Sequence, residues 1–180
     1  MIDRRNFLRG SSVLMAHVSF SQVVTAFFAS RTADGATEYK PTLFTSAEMS
    51  RIAMLVDLIL PETESVSASD AGTHEFIDAV MHACASPKQQ VTFRAGMAAL
   101  ASDGFDTMNA DARVEWLKNR ANADVGLPYE ESFFKILKDY TLTGYFHSEI
   151  GATQALAYER VPGGYEGDIP LKVGQKAWAI

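Results

Sequence analysis

Cysteine is nearly absent from this sequence, because Cys84 is the only one in 180 residues. A single thiol cannot form an internal disulfide, and it cannot supply a four-thiolate zinc or iron–sulfur site. The sequence also has no C-x-x-C-H motif, which c-type haem needs for its attachment. We expect Cys84 to be a small apolar residue in a helix rather than a reactive thiol.

Positive charge is also scarce, since 16 lysines and arginines stand against 22 acidic residues for a net charge of −6. The first 30 residues hold Arg4, Arg5 and Arg9 against Asp3, which is a charge of +2 and leaves −8 for the remainder. Proteins that bind nucleic acid non-specifically need clustered lysine and arginine. The composition therefore argues against nucleic acid as a partner.

The motifs of common active sites are missing as well. The sequence has no G-x-G-x-x-G after a strand, no G-x-x-x-x-G-K-[ST] and no G-x-S-x-G. His74 and Asp78 are four residues apart, so they could form half of a weak metal site, but the same spacing fits an ordinary polar pair better. We predict no catalytic, cofactor-binding or metal-binding residues in this chain. A metal-dependent enzyme remains the weaker alternative.

The N-terminus does carry a recognisable signal. Arg4, Arg5, Phe7 and Leu8 form the pattern R-R-x-F-L, and a weakly apolar stretch follows from residue 11 to residue 30. This stretch contains five serines and is too polar for a comfortable membrane span. We predict that residues 1–30 are a twin-arginine export signal, read by the Tat translocase, and that the protein reaches the periplasm already folded.

The rest of the chain reads as helical. Residues 31–43 are predicted to be a linker, residues 44–158 a bundle of about five helices and residues 159–180 an irregular, extended tail. The predicted helix starts are a Thr45–Glu48 capping box, Asp70 or Ser69, Ser86-Pro87, Asn109 or Asp111, and Pro128. No stretch alternates with a period of two over a useful length, so the predicted fold class is all-α.

One segment near the end of the last helix is dense in aromatic residues, glycine and hydrogen-bonding side chains. Aromatic anchors beside flexible backbone are typical of protein–protein interfaces, although a core helix followed by a turn fits equally well. The candidate interface residues are Tyr145, Phe146, His147, Ser148, Glu149, Gly151, Tyr158, Pro162 and Tyr165.

Several short blocks, in order along the chain, resemble a known family. They are the twin-arginine start, Phe44-Thr45 before Glu48, Asp57-Leu58-Ile59-Leu60-Pro61-Glu62-Thr63, Asp70-Ala71-Gly72, Phe76-Ile77-Asp78, Phe133-Phe134, Gly144-Tyr145-Phe146-His147-Ser148-Glu149-Ile150-Gly151 and Tyr158-Glu159-Arg160-Val161-Pro162-Gly163. The two most specific blocks follow the patterns D-x-I-x-P-x-T and G-Y-F-x-S-E-x-G. The chain resembles the gluconate 2-dehydrogenase subunit 3 family, the small subunits of membrane-bound sugar and gluconate dehydrogenases.

The resemblance implies a non-catalytic role. In such complexes a large flavoprotein of the glucose–methanol–choline type carries FAD, and a cytochrome c subunit with haem passes the electrons on. The small subunit is expected to be a chaperone that carries the flavoprotein across the membrane by its own Tat signal, and the complex is expected in the periplasm, associated with the membrane. The alternative, from a different functional class, is a free-standing periplasmic module with a binding or structural role.

Overall fold

The computed structural model describes residues 20–32, 39–157, 168, 170 and 173–178. Arg4, Arg5, Phe7 and Leu8 of the export motif lie outside these residues. The described part of the chain is mostly helical and has no strand; its β-type pairing is an isolated bridge between Ala157 and Trp178. The all-α fold class is therefore confirmed.

The predicted bundle of five helices is present in the body, and one more helix precedes it. The α-helices are α1 (Phe20–Thr32), α2 (Ser46–Ile59), α3 (Thr73–Ala83), α4 (Pro87–Ser102), α5 (Ala110–Ala123) and α6 (Phe133–His147). Two short turns of 3-10 helix connect α4 to α5 and α5 to α6, at Phe105–Thr107 and Tyr129–Glu131. A π-helical turn follows α6 at Gly151–Ala155. α1 extends across residue 30, where the sequence places the end of the signal. The division of the chain at that residue stays a prediction.

Three helix starts are where the sequence predicts them, because their capping groups are local. The Thr45 hydroxyl accepts from the Glu48 amide at 3.3 Å, while the Glu48 carboxylate accepts from the Thr45 amide at 2.8 Å. Ser86 caps α4 through an equivalent exchange with Gln89. Asn109, the first of the two predicted candidates, caps α5 by accepting from the amide of Ala112.

Two predicted starts are wrong. α3 is preceded not by an Asp70 or Ser69 cap but by Gly72, whose φ of 74° suits a residue without a side chain. Asp70 instead accepts a hydrogen bond from Ser67 inside the preceding turn. Pro128 does not begin the last helix, because a 3-10 turn follows it and Ser132 then caps α6.

α6 is the central element of the bundle, since it contacts each of the other α-helices. It can do so because its apolar residues recur at the three- and four-residue intervals that keep a helix face buried. The buried side of α6 comprises Phe133, Ile136, Leu137, Tyr140, Thr141, Gly144 and Tyr145. Any segment that docks on α6 is therefore connected to the whole core.

α1 packs on the bundle rather than standing apart from it. Val24 and Phe27 are buried. The rings of Phe27 and Phe28 lie 5.7 and 5.5 Å from the ring of Phe76 on α3. The last part of the predicted signal thus shares the hydrophobic core of the body.

The segment between α1 and α2 is held by one buried carboxylate. Asp78 on α3 is fully buried and accepts five hydrogen bonds from residues 34 to 39 positions earlier in the chain. Oδ2 accepts from the Tyr39 hydroxyl and from the amide and hydroxyl of Thr42, and Oδ1 accepts from the amides of Leu43 and Phe44. Residues 39–43 of the predicted linker, and Phe44 at the start of the predicted bundle, are therefore fixed to α3.

Asp78 stays ionised although it is buried, because these donors stabilise its negative charge. Desolvation alone would raise the pKa of Asp78, but the hydrogen bonds from Thr42, Tyr39, Phe44 and Leu43 together hold it below its usual value. The carboxylate is therefore ionised in the folded protein at neutral pH.

The described end of the tail returns to the body, where the amide of Ala157 donates to the carbonyl of Ala177 at 2.7 Å. Within the described residues, every helix is too short or too polar to cross a membrane.

We expect Asp78→Asn to lower the free energy of unfolding at neutral pH by about 3 kcal/mol, because an amide places two N–H donors among five others. The folded pKa of Asp78 lies below the unfolded one. Its stabilisation is therefore complete above the unfolded pKa of about 4 and is lost as the pH falls through the folded pKa. Denaturant titrations from about pH 7 down to about pH 3 should show the difference from wild type shrinking toward the acid end.

Asp111→Asn is the matched control, since Asp111 is exposed in the first turn of α5 and the chemical change is the same. It should cost far less stability at every pH. A gap between wild type and Asp78→Asn that does not change with pH would contradict the assigned role of the charge.

Candidate functional site

The block from Tyr145 to Gly151 lies where α6 ends, and its first residue faces inward. Tyr145 is buried. Its hydroxyl donates to Ser65 Oγ at 2.8 Å and to the carbonyl of Val66 at 3.0 Å, in the turn between α2 and α3. Tyr145 therefore ties the end of α6 to a turn 80 residues earlier in the chain.

Ser148 and Gly151 build the turn that follows α6. The Ser148 hydroxyl donates to the carbonyl of Tyr145 at 2.7 Å and accepts from the amide of Gly151 at 3.0 Å. A Cβ atom on Gly151 would lie 1.9 Å from the Tyr145 carbonyl oxygen, so only glycine fits there. These two residues hold the backbone in place, which is enough to explain their presence.

The other residues of the block reach the surface. Phe146 is half-buried, with its ring 5.3 Å from that of Tyr145, whereas His147 and Glu149 are exposed. His147 and Glu149 line a shallow groove of about 440 Å³, whose other wall is the α1 residues Val24, Thr25, Phe28 and Ala29. The end of the predicted export segment thus lies against the predicted interface block.

The structure brings together six of the candidate interface residues, namely Tyr145, Phe146, His147, Ser148, Glu149 and Gly151. Their roles divide, because Tyr145, Ser148 and Gly151 are buried while Phe146, His147 and Glu149 are open to a partner. Tyr158, Pro162 and Tyr165 lie outside the described residues. The interface itself stays a prediction.

The His74–Asp78 pair does not form half of a metal site. Both oxygens of Asp78 are used by the five donors from residues 39–44. Across the described ranges, no group of three or more histidine, cysteine, aspartate or glutamate side chains is placed to hold a metal ion. The carboxylate of Asp78 therefore accepts its hydrogen bonds from residues 39–44 of the same chain.

Asp57 of α2 also bonds within the chain. It is half-buried, and its carboxylate accepts from the amide and hydroxyl of Ser69 at 2.8 and 2.7 Å. Cys84 is partly buried at the end of α3, and this burial raises the pKa of its thiol, as expected for a packing residue.

Comparison with known families agrees with this architecture. Residues 46–163, about two thirds of the chain, match the family described as Gluconate 2-dehydrogenase subunit 3. The chain belongs to the gluconate 2-dehydrogenase subunit 3 family. The match extends from α2 past the block at the end of α6, so the family assignment covers the whole body of the bundle. Searches of curated proteins and of solved structures found no significant match.

The buried role of Tyr145 can be tested by removing its hydroxyl. Tyr145→Phe should lower the free energy of unfolding by about 1–2 kcal/mol, because the Val66 carbonyl loses a buried donor. Thermal and denaturant unfolding of the purified protein would measure this loss.

Tyr129→Phe is the control, since Tyr129 is 37% exposed and its hydroxyl donates to Asp139 near the surface. It should cost about 0.5 kcal/mol or less. Equal losses in the two variants would show that the Tyr145 hydroxyl is not a structural anchor.

Proposed function

We propose that this protein is the non-catalytic small subunit of a periplasmic, FAD-dependent sugar, glycoside or polyol dehydrogenase. It binds the folded flavoprotein subunit in the cytoplasm as a chaperone and carries it through the Tat translocase with its own signal. FAD belongs to the flavoprotein of the glucose–methanol–choline type, and haem belongs to a cytochrome c that accepts the electrons. No cofactor is assigned to this chain.

The observation that carries the proposal is a family match to a dehydrogenase subunit in a chain that also has a twin-arginine motif near its start. The match covers residues 46–163, and Arg4 and Arg5 open the sequence. A subunit of an enzyme complex that has an export signal can move a partner that lacks one, provided that the two bind before transport. The signal would then serve two proteins.

The packing of α1 supports the same role. α1 begins 15 residues after Arg5 and places Phe27 and Phe28 against Phe76 of the body. The segment behind the arginines is therefore attached to a folded bundle. This arrangement suits an export route that transports folded proteins, because the signal and the folded cargo move as one unit.

The carrier role predicts that the flavoprotein depends on the arginines of another chain. With Arg4→Lys and Arg5→Lys together, this protein and the flavoprotein should both remain in the cytoplasm. Flavin-dependent sugar dehydrogenase activity in the periplasmic fraction should fall to the background of a strain that lacks this chain. Immunoblots of both subunits in the two fractions would follow the retention directly.

Arg9→Lys is the matched control, because Arg9 lies in the same segment but outside the R-R-x-F-L pattern. Both proteins should still be exported with this change. Normal periplasmic activity in the Arg4→Lys/Arg5→Lys variant, or isolation of the wild-type chain as a monomer without a flavoprotein, would refute the carrier role. The monomer result would favour a free-standing module.

A further inference from the structure

Exposed apolar side chains are concentrated on one part of the molecule. Among the described residues, eight large hydrophobic side chains are exposed, and four of these lie within 16 positions of each other on α5 and the loop after it. They are Val114, Val125, Leu127 and Tyr129. Scattered single exposures are normal on a monomer, but Val114 differs from the others because it lines an apolar groove.

This groove lies between the end of α2, α5 and α6. Its floor includes Leu58 of α2, Val114 and Leu117 of α5, and Phe134 of α6. Its volume is about 260 Å³. That is less than the roughly 300–1,000 Å³ typical of small-molecule sites, and it suits an inserted side chain of a protein better than a drug-sized ligand.

Two lysines line this groove, Lys118 on α5 and Lys138 on α6. Both side chains are exposed. Within the part of the chain that the structure describes, neither has a hydrogen bond or an ion pair, whereas Lys88 and Lys135 are bound to Glu131 and to the Leu127 carbonyl. The two cations are therefore available to a partner.

The groove has no acidic residue in its walls, which is notable in a protein with a net charge of −6. Three other surface grooves each contain one: Glu75 near the linker, Glu149 beside α1, and Asp139 next to Tyr129. An apolar floor with two unpaired cations at the rim is complementary to an apolar side chain flanked by carboxylates.

Lys138 also lines the shallow groove that contains Tyr129, so the two depressions lie on either side of this residue. Tyrosine is among the residues that contribute most at protein interfaces, because it buries a large ring and keeps a polar tip. The loop with Tyr129 thus extends the same surface beyond the groove.

We propose that the groove between α2, α5 and α6 is a docking site for an acidic, amphipathic segment of the flavoprotein subunit. An apolar side chain of that segment enters between Leu117 and Phe134, and its flanking carboxylates pair with Lys118 and Lys138. The inference rests on the proposed function. It adds a contact surface distinct from the block at residues 145–151.

Reversing the two rim charges tests the docking site in the intact complex. In cells that produce both subunits, Lys118→Glu with Lys138→Glu should weaken the complex on the order of 10-fold or more, because the partner's carboxylates then face like charges. The affinity of the purified subunits would be measured at several salt concentrations. The wild-type complex should weaken with added salt, and the variant should lose this dependence.

Lys40→Glu with Lys176→Glu is the matched control, since it makes the same change of charge at exposed lysines that form no ion pair with the described residues and do not line the groove. Its affinity should stay within about twofold of wild type, because exposed pairs contribute little. Unfolding curves of both double variants would show that each still folds. A groove variant that binds the flavoprotein as tightly as the control would overturn the docking site.

The identity of the occupant is tested by placing a photo-crosslinking amino acid at Val114, which is 37% exposed. The product should join this chain to a flavoprotein peptide with acidic residues beside an apolar one. Crosslinks to lipid or to a second copy of this chain would refute the proposed occupant. Absence of any flavoprotein with the wild-type chain would instead refute the proposed function, so the two failures are distinguishable.

Discussion

The arrangement of the N-terminal half depends on the buried carboxylate of Asp78. A charge inside the core is tolerated only when donors replace water, and five donors from residues 39–44 do so here. The same bonds place Thr45, the cap of α2, directly after the anchored segment. Tyr39 continues the connection to α1, because its ring lies 6.1 Å from that of Phe27. One side chain therefore sets where α1, the segment after it and α2 meet α3.

The sequence predicted what is decided locally and missed what is decided at long range. The caps at Thr45, Ser86 and Asn109 form between residues three positions apart, so their pattern is readable. The predicted starts of α3 and α6 were wrong. Gly72, not Asp70, precedes α3, and Ser132, not Pro128, precedes α6. Asp78 gave no sequence signal of its role, since its donors lie 34 to 39 residues away and include three backbone amides.

The block at the end of α6 shows why the candidate site was only partly readable. Its composition fits an interface and a core equally, and the structure assigns both uses to neighbouring residues. Tyr145 faces inward and bonds to Ser65 and Val66, which lie 80 and 79 residues earlier in the chain, so its sequence neighbours could not reveal this role. His147 and Glu149 face outward. The groove with Lys118 and Lys138 could not be read at all, since three helices distant in sequence form its walls.

Phe76 determines how a change in the core of the bundle would reach α1. A Cβ atom on Gly144 of α6 would lie 2.6 Å from the Phe76 ring, closer than two carbon atoms can approach. This is the ring that Phe27 and Phe28 of α1 contact. A single added methyl group at residue 144 would therefore move the surface on which α1 rests. Helix spacing in the centre of the bundle and the position of α1 are therefore coupled through one aromatic side chain.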